Sequence, residues 1–223
     1  MLSTLDARTA ASILPLPLHK RHEPLRPAVA PRRAYAKDEE IFLEGDEAEF
    51  FYKVVSGAVR TYKLLSDGRR QIDAFHFAGE IFGAESGGEH RFTAEAIGEV
   101  TLVCHRSRSI GTMAFDNPML AREVLASTME ALARAQEHML LLGRKSAVEK
   151  VASFLLGLSE RTTSGGVIDL PMARIDIADH LGLTIETVSR SLTQLEREGV
   201  ISLPAHRRGI VLKDRAALRR LRA

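Results

Sequence analysis

The side chains best suited to specific chemistry lie near the C-terminus, on one face of a predicted helix. Glu186, Ser189 and Arg190 follow helical spacing opposite an apolar stripe. A carboxylate can accept a hydrogen bond from the amino group of cytosine, a guanidinium can donate two to guanine, and a hydroxyl can contact a thymine edge. We therefore interpret these three side chains as a set that contacts base pairs in DNA.

An ordinary surface ion pair is the alternative interpretation. Glu186 and Arg190 are spaced i, i+4, and such a pair on an exposed helix contributes only about 0.2–0.5 kcal/mol. The preceding residues favour DNA contact. Ala178 is small enough for a second helix to cross closely, and Gly182 can supply the positive φ of a sharp turn. Two helices joined in this way predict a helix-turn-helix.

The flanking residues add predicted contacts with the DNA backbone. Thr184 occupies the N-cap position of the second helix, and Thr187 lies in its first turn. Beyond that helix, residues 200–202 and 209–212 predict a β-hairpin whose tip carries Arg207 and Arg208. We expect these four side chains to contact phosphates, which makes residues 144–223 a winged helix-turn-helix domain.

The charge distribution supports this placement. The net charge is only +2, but residues 38–104 carry fourteen acidic and six basic side chains, whereas residues 144–223 carry fourteen basic and nine acidic ones. Such an asymmetry indicates that the C-terminal part faces a polyanion and the middle part does not. The basic side chains are densest after residue 206, where a solvated tail is the alternative interpretation.

Residues 38–115 predict a β-roll. Short β-branched and aromatic segments alternate with turn signals such as Ser56-Gly57, Asp67-Gly68 and Gly98-Glu99, and the turns recur roughly every ten residues. Even spacing of this kind is typical of a double-sheet roll or jelly roll. The fold class we predict is α+β: this N-terminal roll, a long helix and the winged helix-turn-helix.

The long helix is predicted over residues 116–143, with Asn117 as its N-cap and Pro118 in its first turn. Apolar and small residues recur along it by three and four, as in a coiled-coil seam. These residues are Leu125, Thr128, Leu132, Ala135, Met139 and Leu142. We interpret the seam as a homodimer interface, because DNA-reading helices usually act in pairs. A helix packed only on its own β-roll is the alternative.

Composition restricts the remaining classes. Residues 1–37 are proline-rich without the apolar block of a signal peptide, so we expect a flexible extension and a cytoplasmic protein. No segment reaches the ~18 apolar residues of a membrane helix. The eight histidines are scattered, and we see neither a catalytic triad nor metal-ligand spacing. We expect no enzyme activity and no metal site.

A β-roll, a long seam-bearing helix and a winged helix-turn-helix, in this order, resemble the CRP/FNR family of bacterial transcription regulators over residues 38–213. The segment from Thr184 to Arg190 resembles the FNR/FixK branch, which carries Glu-x-x-Ser-Arg on its recognition helix; within it the chain most resembles FixK. The resemblance implies that Glu186, Ser189 and Arg190 contact TTGAT-type inverted repeats. It also implies an activator that contacts RNA polymerase and controls genes of microaerobic respiration, nitrogen fixation or denitrification.

The sensing half separates this chain from other branches of the family. Relatives that bind cyclic AMP use a Gly-Glu-Leu segment and an Arg-Ser pair; here Glu80 and Arg91 are present, but no serine follows Arg91 and the surroundings are acidic. FNR-type oxygen sensors hold an iron–sulfur cluster with several cysteines, and this chain has one, Cys104. We therefore expect no cofactor, and keep a small-ligand, haem or redox sensor as the alternative.

Cys104 is the candidate for a redox role. It ends a predicted strand, and His105, Arg106 and Arg108 follow closely. Such cations could lower the pKa of its thiol and make it reactive. The alternative is a small apolar residue that closes the strand.

Overall fold

The computed structural model describes residues 30–85, 88–107, 113, 116–162, 167–204 and 209–222. Two four-stranded antiparallel sheets form the N-terminal β-roll, in the orders β1-β8-β3-β6 and β2-β7-β4-β5. The strands are β1 Arg32–Tyr35, β2 Glu40–Phe42, β3 Phe50–Ser56, β4 Ala58–Leu64, β5 Arg70–Phe77, β6 Ile81–Phe82, β7 Thr93–Ala96 and β8 Val100–Arg106. The predicted β-roll is thus confirmed.

Strand β1 differs from the sequence-based expectation, since it falls inside the extension predicted to be flexible up to residue 37. It pairs antiparallel with β8, from Arg32 opposite Val103 to Tyr35 opposite Val100. The Tyr35 side chain is buried in the roll, and the Pro31 carbonyl accepts a 2.9 Å hydrogen bond from the Cys104 amide. The prolines led to the prediction of a flexible extension. Pro31 precedes the paired residues and does not interrupt them, so the strand can form.

Aromatic side chains fill the interior of the roll. The rings of Phe42 and His90 stack with centroids 3.5 Å apart, and Tyr52 and Phe82 stack beside them at 5.4 Å. Gly83 has φ +73°, and a Cβ there would lie only 3.2 Å from Phe42, 3.3 Å from Tyr52 and 3.4 Å from His90. The backbone therefore approaches these rings as closely as a glycine permits.

Helix α1, Pro118–Arg144, runs from the roll to the C-terminal part. Its predicted start is confirmed, because the Asn117 side chain accepts a 3.1 Å hydrogen bond from the Leu120 amide and Pro118 lies in the first turn. Val124 and Leu141 are its buried residues. Val124 packs with Phe51 and Ile81 of the roll, which leaves the opposite face of α1 exposed.

The C-terminal part contains four helices and a three-stranded sheet with the order β10-β11-β9 among the described residues. These elements are α2 Ala147–Arg161, β9 Val167–Asp169, α3 Arg174–Leu181, α4 Ile185–Arg197, β10 Ile201–Ser202, β11 Gly209–Leu212 and α5 Arg215–Arg222. A full capping box between Ser146 and Glu149 begins α2. None of the helices in the described ranges is long and apolar enough to cross a membrane.

Helix α5 shows that the basic C-terminal segment folds onto the protein from Arg215 onward. Leu218 is fully buried. Arg222 forms ion pairs of 2.8 Å with Glu137 in α1 and 2.9 Å with Glu160 in α2. The solvated-tail interpretation is therefore wrong for this stretch, although Arg215, Arg219 and Arg220 remain exposed.

Candidate DNA-binding surface

Helices α3 and α4 form the helix-turn-helix that the sequence predicts. Gly182 has φ 61° and ψ 43°, the left-handed conformation that glycine adopts at low cost. Ala178 is buried in the core of the C-terminal part. The Thr184 hydroxyl accepts a 3.2 Å hydrogen bond from the Thr187 amide and so caps α4. These local contacts fix α4 relative to α3.

The predicted base-contacting residues lie on the outer face of α4. Its inner face buries Val188, Leu192 and Leu195, whereas Glu186 and Arg190 are exposed. In the part of the chain that the structure describes, no ion pair joins Glu186 to Arg190. Both charged groups are therefore available to an external ligand, which removes the support for the ion-pair interpretation.

Three residues outside the predicted set of base-contacting residues extend this face. Arg174, the first residue of α3, donates a 3.4 Å hydrogen bond to the Ser189 hydroxyl. Thr193 and Arg197 line a shallow groove together with Ser189 and Arg190. Thr193 and Arg197 continue the helical spacing of Arg190 at i+3 and i+7, a signal already present in the sequence.

The predicted backbone contacts are only partly described. The Thr184 and Thr187 hydroxyls lie 3.0 Å apart at the start of α4, so both are near the exposed face. Strands β10 and β11 pair as the predicted hairpin, with Ile201 opposite Leu212. Arg207 and Arg208, at its predicted tip, lie outside the described residues.

The exposed face of α1 carries apolar side chains at helical spacing, which we call the α1 stripe. Leu125, Leu132 and Met139 from the predicted seam are 59%, 52% and 66% exposed. Thr128 and Ala135 are also exposed, and Thr128 donates its hydroxyl to the Val124 carbonyl at 2.8 Å. We define the stripe by its large exposed side chains: Leu125, Met129, Leu132, Met139 and Leu140.

Leu142 does not belong to the α1 stripe, so its assignment to the seam is corrected. It is partly buried and packs against the core of the C-terminal part, with its Cδ2 3.6 Å from the position a Cβ on Gly182 would take. Met129 and Leu140, which the predicted seam omitted, are instead exposed. Helix α1 has one apolar face toward the protein and another toward solvent. Both faces repeat with the helical period, so the sequence pattern does not show which face a given apolar residue belongs to.

Cys104 is 2% exposed and belongs to the aromatic core of the roll. Burial raises the pKa of its thiol, and the Arg33 guanidinium lowers it only in part. The expectation that neighbouring cations lower this pKa is therefore wrong. Alternation along β8 explains the error, because it leaves His105 partly exposed while Cys104 points inward.

Glu80, which was compared above with the Gly-Glu-Leu segment of cyclic-AMP-binding relatives, contacts α2. Its carboxylate accepts hydrogen bonds of 2.8 and 2.9 Å from Arg161 and 3.1 Å from the Phe77 amide. These bonds hold the pKa of Glu80 below its usual value despite partial burial. Arg91 is 79% exposed in its side chain and pairs with Glu85 at 3.4 Å. Both groups are thus engaged with protein partners.

The comparisons with known proteins agree with this architecture. A model of the cyclic nucleotide-binding domain matches residues 32–117, and one of the Crp-like helix-turn-helix domain matches residues 149–221. The nitrogen fixation regulation protein FixK of Azorhizobium caulinodans is 51% identical over 84% of this chain and 77% of its own. The chain belongs to the FixK branch of the CRP/FNR transcription regulators.

Two further matches extend over nearly the whole molecule. The FixK protein of Rhizobium meliloti is 44% identical over 93% of this chain and 96% of its own. The structure of FixK2 from Bradyrhizobium japonicum has 50% identity and a TM-score of 0.81 over 87% of this chain and 98% of that one. This FixK-type chain is therefore a transcription regulator with a DNA-binding helix-turn-helix, as its relatives are.

A histidine pair lies where α1, α3 and β5 of this regulator meet. The rings of His138 and His180 stack at 4.1 Å, and His180 Nδ1 lies 3.1 Å from the Ile72 carbonyl. Burial, followed by repulsion from His138, lowers the pKa of His180 to about 3. The pKa of His138 is lowered as well, chiefly by burial. Both rings are consequently neutral in the folded protein near pH 7.

We predict that this junction makes stability fall on acidification. Because the folded pKa of His180 lies below the ordinary 6.5, the unfolded chain binds more protons between pH 6.5 and 3. The stabilisation that results from this difference in the pKa of His180 is complete above pH 6.5 and is lost as pH falls toward 3. In urea unfolding at fixed protein concentration, His180→Gln should reduce the slope of stability against pH by up to about 1.4 kcal/mol per unit. Equal slopes in both proteins would contradict this.

Proposed function

We propose that this regulator binds as a homodimer to inverted repeats of the TTGAT type. The observation that carries the proposal is the exposed outer face of α4, where Glu186 and Arg190 stand free of one another beside Ser189. Together they offer a carboxylate, a guanidinium and a hydroxyl, which suit cytosine, guanine and thymine edges respectively. We assign phosphate contacts to Thr184 and Thr187, together with Arg207 and Arg208 of the wing.

The α1 stripe supports the homodimer. Its five large apolar side chains are each more than half exposed in the single chain, and a cluster of exposed apolar side chains on one face is typical of an interaction surface. Two copies related by a two-fold axis would bury the stripe against itself and present two α4 helices. A dimeric protein of this class reads two half-sites about one helical turn apart, which explains the inverted repeat.

We further propose that the β-roll binds no effector. The rings of Phe42, Tyr52, Phe82 and His90 occupy its interior, and Glu80 is engaged by Arg161. Activity would then be set by the amount of protein. By analogy with the relatives named for nitrogen fixation regulation, we propose a mainly activating role at such genes or those of microaerobic respiration or denitrification. RNA polymerase in the cytoplasm is the second partner.

Selection of randomised duplex DNA with the purified full chain tests the proposal. We expect enrichment of TTGAT-type inverted repeats with one preferred spacing. Enrichment of isolated half-sites would contradict the dimer, and enrichment of no sequence would overturn the assignment of base contacts to α4. Glu186→Ala should relax the preference at one base pair per half-site, at a cost of about 1–3 kcal/mol against the wrong base.

The burial of Cys104 leads to a prediction about redox control. Because the thiol is 2% exposed and its pKa is raised, little thiolate is available for oxidation at neutral pH. We expect peroxide treatment to leave the affinity for the inverted repeat within about twofold of the untreated protein. Cys104→Ala should behave identically with and without peroxide. A loss that only the cysteine-containing protein shows would restore the redox alternative.

A further inference from the structure

Ion pairs between the β-roll and α3 form a cluster that spans the two halves of the chain. We call it the roll–α3 cluster; it consists of Arg60 in β4, Arg70 in β5, and Asp176 and Asp179 in α3. Both arginines donate to the Asp176 carboxylate, Arg60 at 3.4 Å, and Arg70 also reaches Asp179 at 2.8 Å. The side chains of Arg60 and Asp176 are only 10% and 4% exposed. The cluster is therefore largely removed from solvent.

Asp176 also determines how α3 begins. Its Oδ2 atom, which also accepts from Arg60, accepts a 3.1 Å hydrogen bond from the amide of Ala173, the residue before the helix. One carboxylate thus caps α3 and accepts from two strands of the roll. Arg60 is further paired with Glu95 of the roll, so the guanidinium is held from both sides. A rotation of α3 would separate these groups and leave a buried charge uncompensated.

Further contacts fix the same orientation along β5. The Gln71 side-chain amide donates to the His180 carbonyl at 3.3 Å, at the far end of α3 from Asp176. The Arg161 guanidinium, at the end of α2, pairs with Glu80 and lies 4.7 Å from the centre of the Phe77 ring. Polar contacts with the roll therefore occur at both ends of α3 and at the end of α2. Neither helix can pivot without breaking some of them.

The orientation of α3 sets the orientation of the recognition helix. Only the turn from Gly182 to Thr184 separates α3 from α4, and Gly182 is held in the left-handed conformation. In a dimer that binds an inverted repeat, the distance between the two recognition helices must match the spacing of the half-sites. An error in the angle of α3 would therefore change affinity even where every base contact is intact.

We propose that Arg60 and Arg70 are positioning residues for DNA binding: they hold α3 on the β-roll so that α4 is presented at a fixed angle without a bound effector. The inference rests on the proposed function, because it concerns binding to an inverted repeat. In this chain the roll–α3 cluster stabilises one orientation of α3 on the β-roll. A protein whose competent state is only fractionally populated binds more weakly by that fraction.

Arg70→Gln in the full chain tests the inference, with Arg69→Gln as the matched control. Arg69 is the adjacent residue and pairs with Asp67 at 2.7 Å, but this pair lies in solvent within the β4–β5 turn. The probes are duplexes with a TTGAT inverted repeat at the preferred spacing, the same repeat lengthened or shortened by one base pair, and a single half-site. We expect Arg70→Gln to lose about tenfold in affinity at the preferred spacing, to discriminate less between spacings, and to bind the half-site like wild type.

Other outcomes distinguish the possible failures. Wild-type binding without preference for the inverted repeat would overturn the proposed function itself. If the wild type prefers one spacing and Arg70→Gln keeps both that preference and the wild-type affinity, the positioning role is wrong, while the proposed function still holds. Loss of half-site binding in Arg70→Gln would point to unfolding of the protein. Asp179→Asn is then the variant that tests the positioning role, because it removes the other partner of Arg70 from a side chain that is 21% exposed. Unaltered spacing preference in that variant would also reject the inference.

Discussion

Arg190→Ala should lower the affinity of the dimer for its inverted repeat by between about 30-fold and about 10⁴-fold. A bidentate guanidinium contact with guanine contributes about 1–3 kcal/mol of discrimination, and the dimer loses two such contacts, so the total is about 2–6 kcal/mol. The fold should be unaffected, because Arg190 is exposed and forms no ion pair with Glu186. Fluorescence anisotropy at fixed salt measures the loss.

The matched control is Arg215→Ala, which removes the same charge from an exposed position on α5. If Arg190 contacts a base, its loss reduces the ratio of specific to non-specific affinity, whereas Arg215→Ala leaves that ratio unchanged. Equal effects of the two substitutions on specific and random DNA would mean that Arg190 acts only through general electrostatic attraction. Recording affinity at several salt concentrations separates these cases, since each phosphate contact contributes to the slope.

The helix-turn-helix could be predicted because its determinants are local. The left-handed turn at Gly182, the cap at Thr184 and the buried stripe from Val188 to Leu195 all lie within a few residues of one another. Each has a sequence signature that depends on backbone conformation or helical period alone. The exposed face of α4 could be predicted from the same pattern, since it consists of the residues opposite the buried stripe.

The contacts that join distant segments could not be predicted in this way. Arg70 and Asp176 are 106 positions apart, and nothing in their neighbours indicates the pairing. The pairing of β1 with β8 is equally remote. Local pattern also failed where one helix serves two partners: Val124 and Leu142 face the protein, whereas Leu125 and Met139 face outward. Only the three-dimensional arrangement assigns each face to its surface.

Leu132→Glu should abolish the homodimer, because Leu132 lies in the middle of the α1 stripe. Each protomer would lose the burial of a leucine, which contributes about 1.5–3 kcal/mol when complete. It would also place an unpaired carboxylate against its symmetry mate, at a further cost of several kcal/mol. The sum corresponds to a rise of at least about 10³-fold in the dimer dissociation constant. Analytical ultracentrifugation over a concentration series measures it.

Ala131→Glu is the control for that substitution, since it places the same charge on the exposed surface of α1 but about 80° or more around the helix axis from every residue of the α1 stripe. It should leave the dimer intact. The monomeric Leu132→Glu protein should still bind a single half-site like wild type, because α4 is unchanged, while its advantage for the inverted repeat disappears. A dimer that survives Leu132→Glu would move the interface off the α1 stripe, and the two-fold symmetry of the target would then require another contact surface.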